Sequence, residues 1–121
     1  MEEKGKRNWI FADGDLPPPG DKEPYGHEGI MVTNLYEQDA HLSLDILFED
    51  RDPVKNLTIT LKGERVMCIR LDRPVGDQKY KIPYGQYAVV LHSDVPVAAV
   101  FGRMDVRQPN LAFYTVQGIS Y

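Results

Sequence analysis

The chain has 121 residues and a net charge of −4, with an isoelectric point of about 5.3. This length fits one domain that buries a core without metal or disulfide cross-links. The acidic balance argues against binding nucleic acid through the overall charge, and a single cysteine, Cys68, allows no internal disulfide. No apolar run approaches the roughly 18 residues of a membrane span, and the charged start lacks the apolar core of a signal peptide. We therefore expect a cytoplasmic protein without membrane insertion.

The N-terminal half alternates short strand-like runs with turn signals. Residues 1–7 are charged and predict a flexible arm, followed by one domain over residues 8–121. Residues 9–12 predict a strand that ends at Asp13 and Gly14, before a proline-rich loop. Further strands are predicted from alternating apolar and polar residues at 25–34, 41–48, 57–61 and 66–71.

The C-terminal half contains two runs, residues 87–91 and 97–101, that are apolar on both strand faces. Such runs predict strands covered on both sides, by a second sheet or by another subunit. A turn at residues 93–94 is expected between them, and Gly102 predicts a bulge. A turn at residues 109–110 then leads into a long aromatic strand over residues 111–121.

No window of the chain shows helical spacing free of proline and glycine. Strand-sized runs instead recur with turn signals between them, which predicts an all-β, single-domain β-sandwich of roughly eight mostly antiparallel strands.

A charged cluster follows Gly102, where Arg103, Asp105 and Arg107 alternate with Met104 and Val106. Residues two apart share one face of a strand, so one carboxylate is expected to lie between two guanidinium groups. Two interpretations remain open. The cluster is either a structural ion-pair ladder at a strand end or subunit interface, or a polar binding surface.

Catalysis has weaker support than binding. His27, His41 and His92 lack the close pair spacing of a metal site, so a metal-dependent β-barrel enzyme would need His27, Glu28 and His41 to converge from distant strands. There is no nucleophile elbow and no glycine-rich phosphate loop. We expect no metal, no cofactor and no enzymatic activity. Aromatic and planar polar side chains together suit a sugar-like ligand, and the aromatic candidates are Trp9, Tyr25, Tyr84, Tyr87 and Tyr114.

A set of short motifs runs in order along nearly the whole chain. They are Trp9, Ala12, Gly14, Pro17 and Pro18; His27-Glu28 and Asn34; Asp39-Ala40-His41 and Asp52-Pro53-Val54; Ile82-Pro83, Ser93 and Val95-Pro96; and Arg103, Asp105 and Arg107-Gln108. In this order and spacing the sequence resembles the sensory rhodopsin transducer family.

The resemblance implies a small soluble all-β protein that assembles as a homotetramer and has no enzymatic role. One member relays light signals from a membrane photoreceptor, and carbohydrate binding has been proposed for relatives without such a partner. It also brings His27 and Glu28 into the candidate site. The predicted set for a ligand or partner is therefore Trp9 as an aromatic wall, His27, Glu28, Arg103, Asp105 and Arg107.

Overall fold

A computed structural model describes residues 3–107 and 111–121 of the chain. It contains eight strands: β1 (Lys6–Leu16), β2 (His27–Asn34), β3 (Ala40–Leu47), β4 (Val54–Leu61), β5 (Arg65–Arg70), β6 (Gly85–Asp105), β7 (Ala112–Val116) and β8 (Ile119–Ser120). All strand pairs are antiparallel. No helix in the described ranges has the length and hydropathy of a membrane span. The predicted all-β class and the predicted number of strands are confirmed.

Strand β6 connects the two layers of the sandwich. Its first half lies between β3 and β1, in the order β4-β3-β6-β1-β8. Its second half, from Ala98 onward, lies between β2 and β7, with β5 on the far side of β2. A strand that passes from one sheet to the other makes a corner of this kind of sandwich.

The predicted turn at residues 93–94 is wrong, because both residues lie inside β6, which is a single strand of 21 residues. Ser93 is the last partner of β3, and Ala98 is the first partner of β2. Between them, the buried Ser93 hydroxyl donates to the carbonyl oxygen of Val95 at 2.5 Å. Pro96 has no N–H to leave unpaired. The residues that predict a turn therefore lie where β6 changes its pairing partner, and the strand remains extended through them.

Large apolar side chains from alternate positions fill the space between the layers. Leu42, Leu44 and Ile46 of β3 are buried, as the alternation predicts. The rings of Trp9 and Phe11 stack at 6.3 Å, and Phe11 stacks on Phe101 of the other layer at 5.8 Å. This aromatic stack ties β1 to the second half of β6.

Several strand boundaries differ from the prediction. Strand β1 begins at Lys6, inside the range predicted as an arm, and continues past Gly14 to Leu16, with a register shift between Phe11 and Gly14. A Cβ on Gly14 would lie 2.7 Å from the Tyr87 ring, so this glycine is needed for close approach.

Near the C-terminus, Gly102 pairs with Gly29 in regular register, and the predicted bulge is absent. The predicted last strand is divided into β7 and β8, while the predicted turn at residues 109–110 lies outside the described residues.

Candidate functional site

A buried ion pair joins β2 and β6 at one end of the sandwich. Glu28 and Arg103 are register partners, and both side chains point inward. The Arg103 Nε donates to Glu28 Oε2 at 2.5 Å, and its Nη2 donates to the carbonyl oxygen of Asp13 at 3.0 Å. The Glu28 side chain is 0% exposed and that of Arg103 is 12% exposed.

The Glu28 carboxylate accepts further hydrogen bonds, which offset the cost of removing its charge from water. The Tyr87 hydroxyl donates to Oε1 at 2.6 Å, and the Asp15 backbone N–H lies 3.1 Å from each carboxylate oxygen. We call Glu28, Arg103, Tyr87 and the Asp13–Asp15 backbone the anchor. A buried charge is tolerated when it is paired and hydrogen-bonded in this way, and the anchor fastens β1 and β2 to β6.

Two side chains of the anchor, Tyr87 and Arg103, have a raised pKa. Burial raises the pKa of Tyr87, and the charge of Glu28 and the hydrogen bond to it raise that pKa further. Burial alone would lower the pKa of Arg103, but the hydrogen bond and the charge of Glu28 outweigh it, so the net pKa is raised. Arg103 therefore stays charged and Tyr87 stays protonated across the physiological range.

A second ion pair lies just beyond the anchor, at the end of β6. The Arg107 Nε donates to Asp105 Oδ1 at 3.0 Å, its Nη2 donates to Oδ2 at 2.5 Å, and its backbone N–H donates to Oδ1 at 3.0 Å. We call this pair the fork. The side chains of Arg107 and Asp105 are 52% and 26% exposed. Hydrogen bonds from the Arg107 side chain and backbone lower the pKa of Asp105 to about 2.

The predicted arrangement of Asp105 between two arginines is therefore wrong in detail. Asp105 pairs with Arg107, whereas Arg103 pairs with Glu28 across the sheet. The physical reason is that Glu28 lies opposite Arg103 and accepts from its Nε, whereas the chain leaves β6 after Asp105 and the backbone and side chain of Arg107 donate to the Asp105 carboxylate. One of the two resulting pairs is buried and the other is partly exposed.

His27 and Trp9 lie away from both pairs. His27 neighbours Glu28 in the chain but points to the opposite, outer face of β2, where its Nδ1–H donates to the carbonyl oxygen of Tyr25 at 2.8 Å. Trp9 is buried in the core stack, and its Nε1–H donates to the carbonyl oxygen of Lys6 at 3.1 Å. The structure does not bring Trp9 to the surface near Arg103.

Another aromatic residue takes the position expected of Trp9. Tyr114 of β7 is the register partner of Arg103, and the Arg103 guanidinium carbon lies 5.3 Å from its ring centroid. The ring is exposed on its remaining side. The sequence spacing does not show that β7 pairs with β6, so the sequence named Tyr114 only as one of several aromatic candidates. Tyr87, expected as an aromatic face for a ligand, is instead buried and donates to Glu28; neither this role nor that of the Asp15 backbone carried a sequence signal.

The described residues contain no group of three His, Cys, Asp or Glu side chains that could hold a metal ion. His27, Glu28 and His41 do not converge. His41 forms a pair with Asp94, with 2.9 Å between Nδ1 and Oδ2, and Glu28 points into the core.

Comparison with known proteins identifies the family. A family model described as "Anabaena sensory rhodopsin transducer" matches residues 4–120. The crystal structure titled Thermotoga maritima 1070 is similar, with a TM-score of 0.85 and 28% identity over 97% of this chain and 96% of that one. The structure titled Anabaena sensory rhodopsin transducer has a TM-score of 0.70 and 29% identity over 82% of this chain and 95% of that one. No curated protein matches the sequence. The chain belongs to the Anabaena sensory rhodopsin transducer family.

Proposed function

We propose that this protein is a soluble, cytoplasmic, non-enzymatic transducer that binds the cytoplasmic face of a membrane photoreceptor and passes on its signal by contact. Family membership over residues 4–120 supports the class of partner. The structural observation that carries the proposal is the fork of Asp105 and Arg107, a preformed and half-exposed ion pair at one end of the sandwich.

The fork suits a recognition role because its geometry is set before binding. Asp105 uses two of the five N–H donors of the Arg107 guanidinium, which leaves three for a carboxylate or carbonyl oxygen of a partner. A side chain that is already ordered loses less entropy on binding. Arginine is also enriched among the residues that dominate interface energies.

The anchor gives the fork a rigid base. Arg103 lies in β6 two residues before Asp105 and is held by Glu28 and by the Asp13 carbonyl. Movement at the end of β6 is therefore resisted by buried contacts to both β1 and β2. We infer that the anchor positions the recognition surface, while the fork makes contact.

The proposal includes assembly of the protein as a homotetramer. Apolar side chains alternate onto the outer face of the second layer, where Val66 and Phe113 are 68% and 55% exposed. Met31, Ala98, Val100 and Met104 belong to the same face by strand register. An apolar face of this kind is typical of a subunit interface, and most homo-oligomers are closed and symmetric.

The receptor contact is tested with Anabaena sensory rhodopsin in lipid nanodiscs, and empty nanodiscs serve as the control. Interferometry with the immobilised receptor is expected to show saturable binding that weakens with salt, because the fork is exposed. Binding that is equal on empty nanodiscs, or absent, contradicts the receptor role.

Light scattering tests the assembly separately. We expect a mass of four 13.8 kDa protomers for the intact protein and smaller species for Phe113→Glu. A monomer at micromolar concentration contradicts the assembly.

Carbohydrate binding is a second candidate, favoured by Tyr114. Its exposed ring lies beside Arg103 and near the fork, so an aromatic face and guanidinium donors are close together. Such a combination holds sugars by stacking and hydrogen bonding. A glycan array distinguishes this function from receptor binding, and Tyr114→Ala is expected to abolish any glycan signal. A glycan signal unchanged in Tyr114→Ala contradicts this location.

A further inference from the structure

An open cleft lies at the end of the second layer where the loop before β2 meets the end of β5, on the face of β2 opposite the anchor. Its volume is about 510 Å³, within the range of small-molecule sites. The residues that line it are Glu23, Pro24, Tyr25, His27, Arg70 and Arg73. They come from the loop before β2, from the start of β2, and from the end of β5 with the loop that follows it, so three segments of the chain converge there.

Arg70 is held in position at the floor of the cleft. Its Nε and Nη2 donate to the two carboxylate oxygens of Asp72, both at 2.8 Å. Burial by itself would raise the pKa of Asp72, but the hydrogen bond and the charge of Arg70 outweigh it and lower that pKa. Asp72 is therefore charged at neutral pH and fixes the guanidinium, which keeps three N–H donors for another acceptor.

Arg73 supplies a second guanidinium group. None of the hydrogen bonds or ion pairs between described residues engages its side chain, and none joins Glu23 to either arginine. His27 adds no donor in its neutral form, because its Nδ1–H is committed to the Tyr25 carbonyl and its Nε2 is then an acceptor. The cleft therefore presents more donors than its own residues satisfy.

The other wall of the cleft is apolar. The Tyr25 ring is exposed, and Pro24 lies beside it. An aromatic or planar group can pack on such a wall while its charged end reaches the arginines.

We propose that this cleft binds a small organic anion, whose carboxylate or phosphate monoester group is held by Arg70 and Arg73 while its planar apolar part rests on Tyr25. Guanidinium groups bind both oxyanions through charge-assisted, bidentate hydrogen bonds. The site uses residues that neither the anchor nor the fork uses, and the proposal does not depend on a receptor.

The test uses benzoate, phenyl phosphate and the uncharged benzamide as probes of the full-length protein. Isothermal titration calorimetry measures affinity, and backbone amide shifts in NMR spectra locate the site. We expect benzoate or phenyl phosphate to bind, with shifts at Tyr25, His27 and Arg73, and benzamide to bind at least about tenfold more weakly. The preferred anion distinguishes a carboxylate ligand from a phosphate ligand, and either supports the proposal.

Two variants and one control complete the test. Arg73→Gln removes the charge of an exposed side chain and should weaken anion binding at least about tenfold. Tyr25→Ala removes the apolar wall and should weaken it independently. Arg65→Gln is the control, because Arg65 is an exposed arginine at the other end of β5 that donates to backbone carbonyls of residues 63 and 64.

The proposal is overturned if neither anion binds at millimolar concentration, or if benzamide binds as well as benzoate. It is also overturned if Arg73→Gln and Tyr25→Ala, both folded by circular dichroism, bind as the parent protein does. Equal loss of binding in Arg65→Gln would show that the effect reflects overall charge, which likewise contradicts it.

Discussion

Replacing Glu28 and Arg103, singly and together, tests how much the anchor contributes to the free energy of unfolding. Glu28→Gln keeps the shape of the side chain but removes the charge, which leaves the guanidinium group of Arg103 without its carboxylate. Arg103→Met leaves the fully buried Glu28 with donors from Tyr87 and Asp15 only. The double variant removes both charges and keeps an apolar chain of similar length at position 103.

The expected magnitudes follow from the burial of the pair. Breaking a buried ion pair by removing one partner costs about 3–5 kcal/mol, and the partial exposure of Arg103 places Glu28→Gln near the lower end. For a chain of this size, 3 kcal/mol corresponds to roughly a 12 °C fall in the melting temperature. The double variant should cost clearly less than the sum of the two single variants, since neither charge is then left alone.

Chemical denaturation followed by circular dichroism measures the four free energies of unfolding. Protomer concentration must be the same in all four samples, because assembly adds to apparent stability. We expect a coupling energy of at least about 2 kcal/mol between the two positions. Additivity to within about 0.5 kcal/mol would show that the buried pair does not stabilise the fold and would refute the reasoning.

Three further predictions concern neighbouring groups. Because the folded-state pKa of Tyr87 is raised, its contribution to stability is complete below the ordinary tyrosine pKa of about 10 and is lost as the pH rises above it. Tyr87→Phe should therefore flatten the fall in melting temperature at alkaline pH. An unchanged fall would contradict the role given to the hydroxyl. Gly14→Ala should destabilise the protein by about 1–3 kcal/mol in urea unfolding, since its Cβ would lie 2.7 Å from the Tyr87 ring, and a neutral effect would show that β1 can shift there. NMR titration should place the pKa of Asp105 at about 2 and return it toward the ordinary value in Arg107→Ala, whereas a pKa unaffected by that substitution would mean that the fork is absent in solution.

Much of the architecture follows from local sequence rules. Strand β3 was predictable because Leu42, Leu44 and Ile46 alternate with polar residues and bury one face. The continuity of β6 was not predictable, because Ser93, Asp94 and Pro96 carry turn chemistry. Only the presence of two different partner sheets explains why the chain remains extended there.

The candidate site was predictable as a set of residue types but not as a geometry. Strand parity placed Arg103 and Asp105 on one face, yet it could not show that Glu28 lies opposite Arg103 and forms an ion pair with it. Family resemblance brought in Glu28 and His27 together, although neighbours in a strand point to opposite faces. Trp9 was expected at a surface, and its size and apolar ring instead place it in the core stack.

The measurement that tests the proposed function most directly compares receptor binding of the parent protein, Arg107→Ala and Arg7→Ala. Arg7 is the matched control, because it forms an exposed ion pair with Glu3 at the opposite end of β1 from Asp15. Affinity for Anabaena sensory rhodopsin in nanodiscs and mass by light scattering are determined on the same samples. We predict that Arg107→Ala weakens binding at least about tenfold while the oligomer stays intact, and that Arg7→Ala changes neither. Loss of the oligomer in Arg107→Ala, with the receptor affinity of the remaining subunits unchanged, would show that the fork is structural and would contradict the proposed function of this surface.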